Sequence, residues 1–336
     1  MIRTWFNLSE ETRRQIFNQT GVREGLPARA IEKDWWVTLV LRVVFSLPCA
    51  EFLVFKGGTS LSKSWNLIER FSEDIDLAID REYLGFEGEL SKTQVNKLRK
   101  VSCNFICNDL LQMMQEKFDE LEVPEVELKI QDFVNSDTDP MVVELHTKLV
   151  TESLPYLLPQ VLIEIGARSL KEPFENRKIN SFVSKNFSDK DFADSFITIP
   201  TVLPKRTFLE KAFLLHEEFQ KQVEQTRVDR LSRHLYDLEK LMDTEHCKEA
   251  LNDFELYQSI VNHRQKFNTV RRLDYSNHQP AQINFIPPND IIKKWEKDYL
   301  KMQENMIYGE SLKFDALIER LEELKLRFRS INRKMI

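Results

Sequence analysis

The run SEDIDLA at residues 72–78 holds two aspartates, Asp74 and Asp76, with one isoleucine between them. On a strand, residues two apart share a face, so both carboxylates aim at one point while Ile75 turns toward the core. Carboxylates this close repel unless a cation lies between them. A hard divalent ion, Mg²⁺ with Mn²⁺ as substitute, takes oxygen ligands and keeps coordination places for substrate phosphates. Glu164, in the apolar alternation VLIEIGA (161–167), is the candidate third ligand, because a charge in such a run needs a partner. The exposed face of a strand accounts for Glu164 equally well.

A turn suited to phosphate precedes the aspartates. The run KGGTSLSKSW (56–65) carries two adjacent glycines, Gly57 and Gly58, in a chain that has eight in all. Glycines let a phosphate approach backbone N–H groups closely, and Thr59 or Ser60 can cap the helix that follows. The triphosphate of an NTP would then lie between a positive helix start and a metal held by Asp74 and Asp76. Lys63 would reach a phosphate, and Arg70 and Ser72 would orient the nucleotide or the aspartates. No Gly-Lys-Ser or Gly-Lys-Thr closes the turn and no third glycine follows, so neither the P-loop nor the dinucleotide-binding pattern fits. Alone, each piece reads as a solvated strand end or a helix cap. In strand–turn–helix–strand order, the two together favour phosphate chemistry.

Positioning these groups takes a sheet. Apolar alternation predicts strands at 52–55, 75–79, 141–150 and 160–168, and helical periodicity predicts helices near 9–20, 28–47, 60–69 and 91–118. After ITIPTVLPKR (197–206) the pattern is helical, near 206–224, 228–242, 246–262, 288–308 and 311–330. The expected fold class is α/β (α+β), a core with a mixed sheet followed by a mainly helical C-terminal half. The seam falls near residue 200, giving 1–200 and 201–336, the second part contributing site residues.

Composition narrows the setting. The 336 residues carry a formal net charge of −6, which excludes a global basic field for nucleic acid. Two local runs, HRQKFNTVRR (263–272) and KLRFRSINRK (325–334), mix basic and aromatic residues as RNA contact does, and as solvated helix ends also do. The four cysteines form no CxxC pair, so a reduced compartment is expected. The N-terminus has no apolar signal segment. The most apolar stretch, Trp35 to Phe55, is interrupted by Arg42, Pro48 and Glu51. A cytoplasmic protein with no membrane partner is the expectation.

KGGTSLSKSW followed by RFSEDIDLAI (70–79) resembles the nucleotidyltransferase motif of the AbiEii/AbiGii toxins of type IV toxin–antitoxin and abortive-infection systems. These lie in the DNA polymerase β-like superfamily. TFLEKAFLL (207–215) and SRHLYDLEKLM (232–242) resemble the family's two downstream helices, and WEKDYLKMQENMIYG (295–309) with FDALIERLEEL (314–324) its C-terminal ending. The resemblance implies a Mg²⁺-dependent nucleotidyltransferase that moves a nucleoside monophosphate from an NTP to an acceptor, with RNA such as a tRNA 3′ end as the acceptor. It implies an antitoxin encoded nearby, without a stable complex. It also implies that Lys211 contacts phosphate or leaving-group oxygens, and that Asp237 positions Lys211 or acts as acid or base. His234 stands where aspartate is expected, which argues against a metal role there. Two other functions stay open: transfer to a small hydroxylated molecule, as antibiotic-modifying enzymes do, and a nucleotide-binding regulatory module without turnover.

Overall fold

The alternating apolar runs of the N-terminal part become the strands of one seven-stranded sheet. The structure, a computed structural model, describes residues 2–131, 138–154, 156–167, 173–267 and 273–331. It divides into two compact units, Met1–Trp65 with Phe71–Val202, and Asn66–Arg70 with Leu203–Ile336. The boundary expected at residue 200 takes no account of Asn66–Arg70, a short excursion that belongs with the helical unit. The architecture is an α/β core with a mixed sheet, followed by helices.

The first unit opens with helices α1 (Ile2–Phe6), α2 (Glu10–Glu24) and α3 (Ala28–Val44). Ser9 caps α2 by accepting from the Thr12 N–H at 3.1 Å, and Gly25 ends it in a left-handed conformation. Strand β1 (Leu53–Lys56) runs directly into α4 (Gly57–Lys63), and β2 (Asp74–Ile79) follows. Helices α5 (Lys92–Asn104) and α6 (Leu111–Glu120) are joined by a π-turn over Phe105–Leu110, so the single helix expected at 91–118 carries an inserted residue's worth of unwinding. Strands β3 (Glu127–Ile130), β4 (Met141–His146), β5 (Val161–Gly166) and β6 (Phe174–Ile179), helix α7 (Phe182–Asn186) and strand β7 (Ile197–Val202) complete the unit.

The sheet order is β3-β4-β5-β2-β1-β7-β6. β2 pairs parallel with β5 and β1 parallel with β7, while the other neighbours are antiparallel. One face is apolar: Phe55, Ile75, Leu77, Val143, Leu145, Ile163 and Ile165 are all buried. α3 lies against β2 and β5, and every residue of α3 except Ala28 and Arg42 is buried.

Where the elements depart from expectation, a local cause is visible. The helix expected at 60–69 begins at Gly57 and ends at Lys63, because the chain breaks at Asn66 with φ 52° and leaves for the second unit. The strand expected at 141–150 ends at His146, because the amides of Val150 and Thr151 are taken by the Glu32 carboxylate at 2.8 and 3.0 Å. Strand β6, FENRKI, was not expected. It is a charged edge strand with one buried residue, and alternation is faint on such an edge.

The second unit holds α8 (Pro204–Phe219), α9 (Ser232–Leu241), α10 (Glu245–Asn252), α11 (Phe254–Phe267), α12 (Ile292–Asn305) and α13 (Phe314–Arg329). The one helix expected at 246–262 is two, broken at Asp253, whose carboxylate accepts from the Leu256 N–H at 3.0 Å. Asp298 of α12 likewise accepts from the N–H groups of Arg230 and Ser232 at the start of α9. Phe208, Phe213, Tyr257, Phe285 and Phe328 fill the core. Among the described residues no helix is long and apolar enough to cross a membrane.

Candidate functional site

The two aspartates lie as the alternation predicts. Ile75 and Leu77 are buried, while Asp74 and Asp76 are half-buried on the other face of β2. Across the sheet Asp76 is in register with Glu164 of β5 on one side and with Lys56 of β1 on the other. Lys56, Asp76 and Glu164 therefore form one lateral row, with Asp74 a step along the strand on the same face. Glu164 is exposed. Lys56 escaped the sequence reading, although the last residue of a strand before a glycine turn is placed to face such a row.

Gly57 answers to Asp76 directly. Its φ is +79°, and a Cβ built on it would lie 1.8 Å from Asp76 Oδ2 and 2.6 Å from Asp76 Cγ. The first glycine thus leaves room for the aspartate's carboxylate. We expect Gly57→Ala to cost about 1–2 kcal/mol through the left-handed backbone and, beyond that, to push Asp76 out of its row and abolish transfer. Gly85, at φ +82° with nothing within 4 Å of its Cβ position, is the control. Gly85→Ala carries the backbone cost alone, and should lower the urea midpoint while sparing activity per folded molecule.

The structure uses the neighbouring polar residues for holding elements together. Thr59 is fully buried; its hydroxyl donates to the Asp74 carbonyl, and its oxygen lies 2.9 Å from Ser72 Oγ. Ser60, also buried, donates to the Gly57 carbonyl at 2.8 Å. The Thr59 hydroxyl thus ties α4 to the start of β2, while the Ser60 hydroxyl bonds within α4 itself. Gly58 is half-buried beside them. Lys63 does not face solvent either. Its ammonium pairs with Asp34 of α3, and burial pushes its pKa down against the pull of that carboxylate. The phosphate role expected of Lys63 is replaced by an internal ion pair.

Asp34 belongs to a feature the sequence reading passed over. Glu32, Lys33 and Asp34 are consecutive in α3, and each is at most 3% exposed. Lys33 donates to Glu73 Oε2 at 2.5 Å and to the Leu158 carbonyl at 2.9 Å. Asp34 also accepts from the Phe182 N–H at 2.8 Å, at the start of α7. Three successive charges in AIEKDWWVTLVL, a stretch with no polar face, were the available signal.

Arg70 has a partner in the helical unit. It belongs to the second unit, 1% exposed, where its guanidinium grips Asp237 of α9 through Nε at 2.7 Å and Nη2 at 2.8 Å. Lys211 of α8 reaches the same carboxylate at 2.7 Å and lies 3.4 Å from His234 Nδ1. Burial would raise the Asp237 pKa, but Arg70 and Lys211 outweigh it and hold the carboxylate well below its usual range. Burial pushes Lys211 down, with Arg70 adding to the effect and Asp237 opposing it. His234 is pushed well below the ordinary histidine value, chiefly by burial and then by Lys211. A neutral imidazole beside an ammonium serves as acceptor, so Asp237 and His234 together orient Lys211.

Among the described residues, some side chains of the two basic runs are engaged within the protein. Arg264 makes a bidentate pair with Glu217 at 2.6 and 2.7 Å, and Phe267 is buried at 2% exposure. Residues 268–272 lie outside the described residues. In the tail, Phe328 is buried and Arg327 bonds Asp243 and the Met242 carbonyl, while residues 332–334 again lie outside. The buried Phe267 and Phe328 and the paired Arg264 are placed in the protein interior or in internal ion pairs.

Among the described residues, no three His, Cys, Asp or Glu side chains are gathered into a ready metal-holding group. Mg²⁺ does not need one. It is held by one or two carboxylates with substrate phosphates and water completing the shell. The hard-oxygen pair Asp74 and Asp76, on one face and flanked in register by Glu164, fits that donor set.

None of the curated proteins compared with this chain matches it. Eight chains of solved structures do match. One is JHP933 from Helicobacter pylori, 16% identical, with TM-score 0.45, covering 92% of this chain and 96% of that one. Another is MenT4, a nucleotidyltransferase toxin from Mycobacterium tuberculosis H37Rv, 17% identical, with TM-score 0.45, covering 97% and 99%. The family described as nucleotidyl transferase AbiEii toxin, type IV TA system, matches residues 42–320, and the chain belongs to that family.

Proposed function

We propose that this nucleotidyltransferase moves a nucleoside monophosphate from an NTP to an RNA hydroxyl, the 3′ end of a tRNA in particular, with Mg²⁺ bound at Asp74 and Asp76. The observation that carries the proposal is the acid row: Asp74 and Asp76 on one face of β2, with Glu164 beside Asp76 in register. Mn²⁺ would serve in place of Mg²⁺. When bound, the ion supplies charge neutralisation for the polyphosphate. The acceptor oxygen bonds the α-phosphorus as the α–β anhydride bond breaks, pyrophosphate leaves, and the hydroxyl proton passes to water. In the second unit, Lys211 is assigned to phosphate oxygens. Asp237, kept ionised by Arg70 and Lys211, positions that lysine. In keeping with the family, an antitoxin encoded alongside and acting without a stable complex, and a cytoplasmic setting, complete the proposal.

Incubation with labelled NTPs, cellular RNA and Mg²⁺ tests it. Label is expected on RNA 3′ ends with equimolar pyrophosphate. Label on a small hydroxylated molecule instead, or nucleotide binding without pyrophosphate, would overturn it.

The pH profile gives a second test. A lysine whose pKa is lowered by burial loses its proton, and the activity that needs it, at lower pH than an ordinary lysine. The alkaline limb of the rate profile should therefore fall early. His234→Asp places a second carboxylate beside Lys211 and should move that limb to higher pH. An unmoved limb would remove Lys211 from the reaction.

A further inference from the structure

We propose that Lys33 is a positioning residue that sets the separation of the strands bearing Asp74, Asp76 and Glu164, an inference that rests on the proposed metal-dependent function. Lys33 is buried at 3% exposure, and its ammonium joins two places at once: Glu73 Oε2 at 2.5 Å and the Leu158 carbonyl at 2.9 Å. Glu73 immediately precedes β2, and Leu158 lies just ahead of β5. Those two strands run parallel, with Asp74 opposite Leu162 and Asp76 opposite Glu164.

Parallel neighbours are joined only by distant chain, so nothing local sets how their beginnings align. A cation bonded to both beginnings does. Strand alternation puts Glu73 on the face opposite Asp74, where α3 packs, so the staple acts from behind and leaves the acid row open. The residues on either side of Lys33 do related work. Glu32 accepts from the Val150 and Thr151 amides beyond β4, and Asp34 pairs with Lys63 at the end of α4. Consecutive helical residues point about 100° apart, so three successive charges reach three different segments around the row. A buried ion pair is weak evidence for stability. Two strand beginnings held by one ammonium is a geometric function that stability does not require.

The test compares wild type with Lys33→Met and with the double variant Lys33→Met/Glu73→Met. The double variant removes both members of the buried pair together and keeps the fold testable should the single variant unfold. Mn²⁺ binding is read by EPR titration in the presence of a non-hydrolysable NTP analogue, alongside the metal half-saturation of pyrophosphate release. Outer-shell supports typically change metal affinity by about 10–100-fold, and a weakening of that order is expected in the folded double variant. A folded double variant that binds Mn²⁺ within about twofold of wild type, well short of that range, would overturn the inference and leave the proposed function standing. A wild type that neither binds Mn²⁺ nor releases pyrophosphate would overturn both.

Discussion

Asp76→Asn is expected to lower nucleotidyl transfer by on the order of 10³-fold or more, taking several kcal/mol of charge neutralisation at about 1.4 kcal/mol per tenfold. The fold should survive. Asp76 is half-buried on the open face of β2, asparagine has the same shape, and its neutral amide still clears Gly57. Removing one negative charge from a row that holds Glu164 on one side and Lys56 on the other relieves a repulsion and loses an attraction, so the urea midpoint should move little. Asp74→Asn should act in the same direction. Pyrophosphate release measured beside urea unfolding separates the two effects. Retention of more than a tenth of wild-type turnover (about 1.4 kcal/mol) in a folded Asp76→Asn protein would refute the assignment of this carboxylate to the reaction.

The acid row was legible because period-two alternation is a local property. SEDIDLA states which side chains share a face without knowledge of any partner strand. That Glu164 stands beside Asp76 was legible only as a charge in an apolar run; the parallel pairing that puts them in register involves a distant segment. Gly57 was read as a place for phosphate, yet its immediate neighbour is Asp76. A sequence shows the need for an open backbone but not what fills the opening.

Buried charges were the least legible of all. Lys63 and Arg70 both flank the motif in sequence, and proximity suggested a shared site. Lys63 instead turns inward to Asp34, and Arg70 rides the Asn66–Arg70 excursion into the second unit to meet Asp237. Partners so remote in sequence cannot be inferred from spacing. The signal that was available, Glu32-Lys33-Asp34 inside an otherwise apolar helix, says that each charge must find a partner without saying where. Conversely, Lys211 and Asp237 were legible only through the order of family-like motifs, since a lysine on an amphipathic helix is ordinarily a solvated one.

Asp237→Asn is expected to destabilise the protein by about 3–5 kcal/mol at neutral pH, the usual result of removing one partner from a buried ionic group. Asp237 is fully buried and answers two cations, Arg70 through both its oxygens and Lys211 through one. The two cations respond differently to its loss. Lys211, already lowered by burial, can shed its proton and sit neutral, whereas a guanidinium stays charged. The penalty therefore falls on Arg70, and Lys211→Met, which leaves the Arg70–Asp237 pair intact, should cost much less stability while abolishing transfer. The pH dependence follows the sign of the shift. Asp237 is held below its unfolded value, so its contribution is complete above the ordinary carboxylate range and fades as pH falls through the folded pKa. The gap between wild type and Asp237→Asn should accordingly be widest near neutrality and narrow in strong acid. Urea unfolding of the two variants and wild type across that range decides it. If Lys211→Met proves as destabilising as Asp237→Asn, the arginine is not the charge that needs the carboxylate, and the division of labour argued here between Arg70 as structural and Lys211 as reactive is wrong.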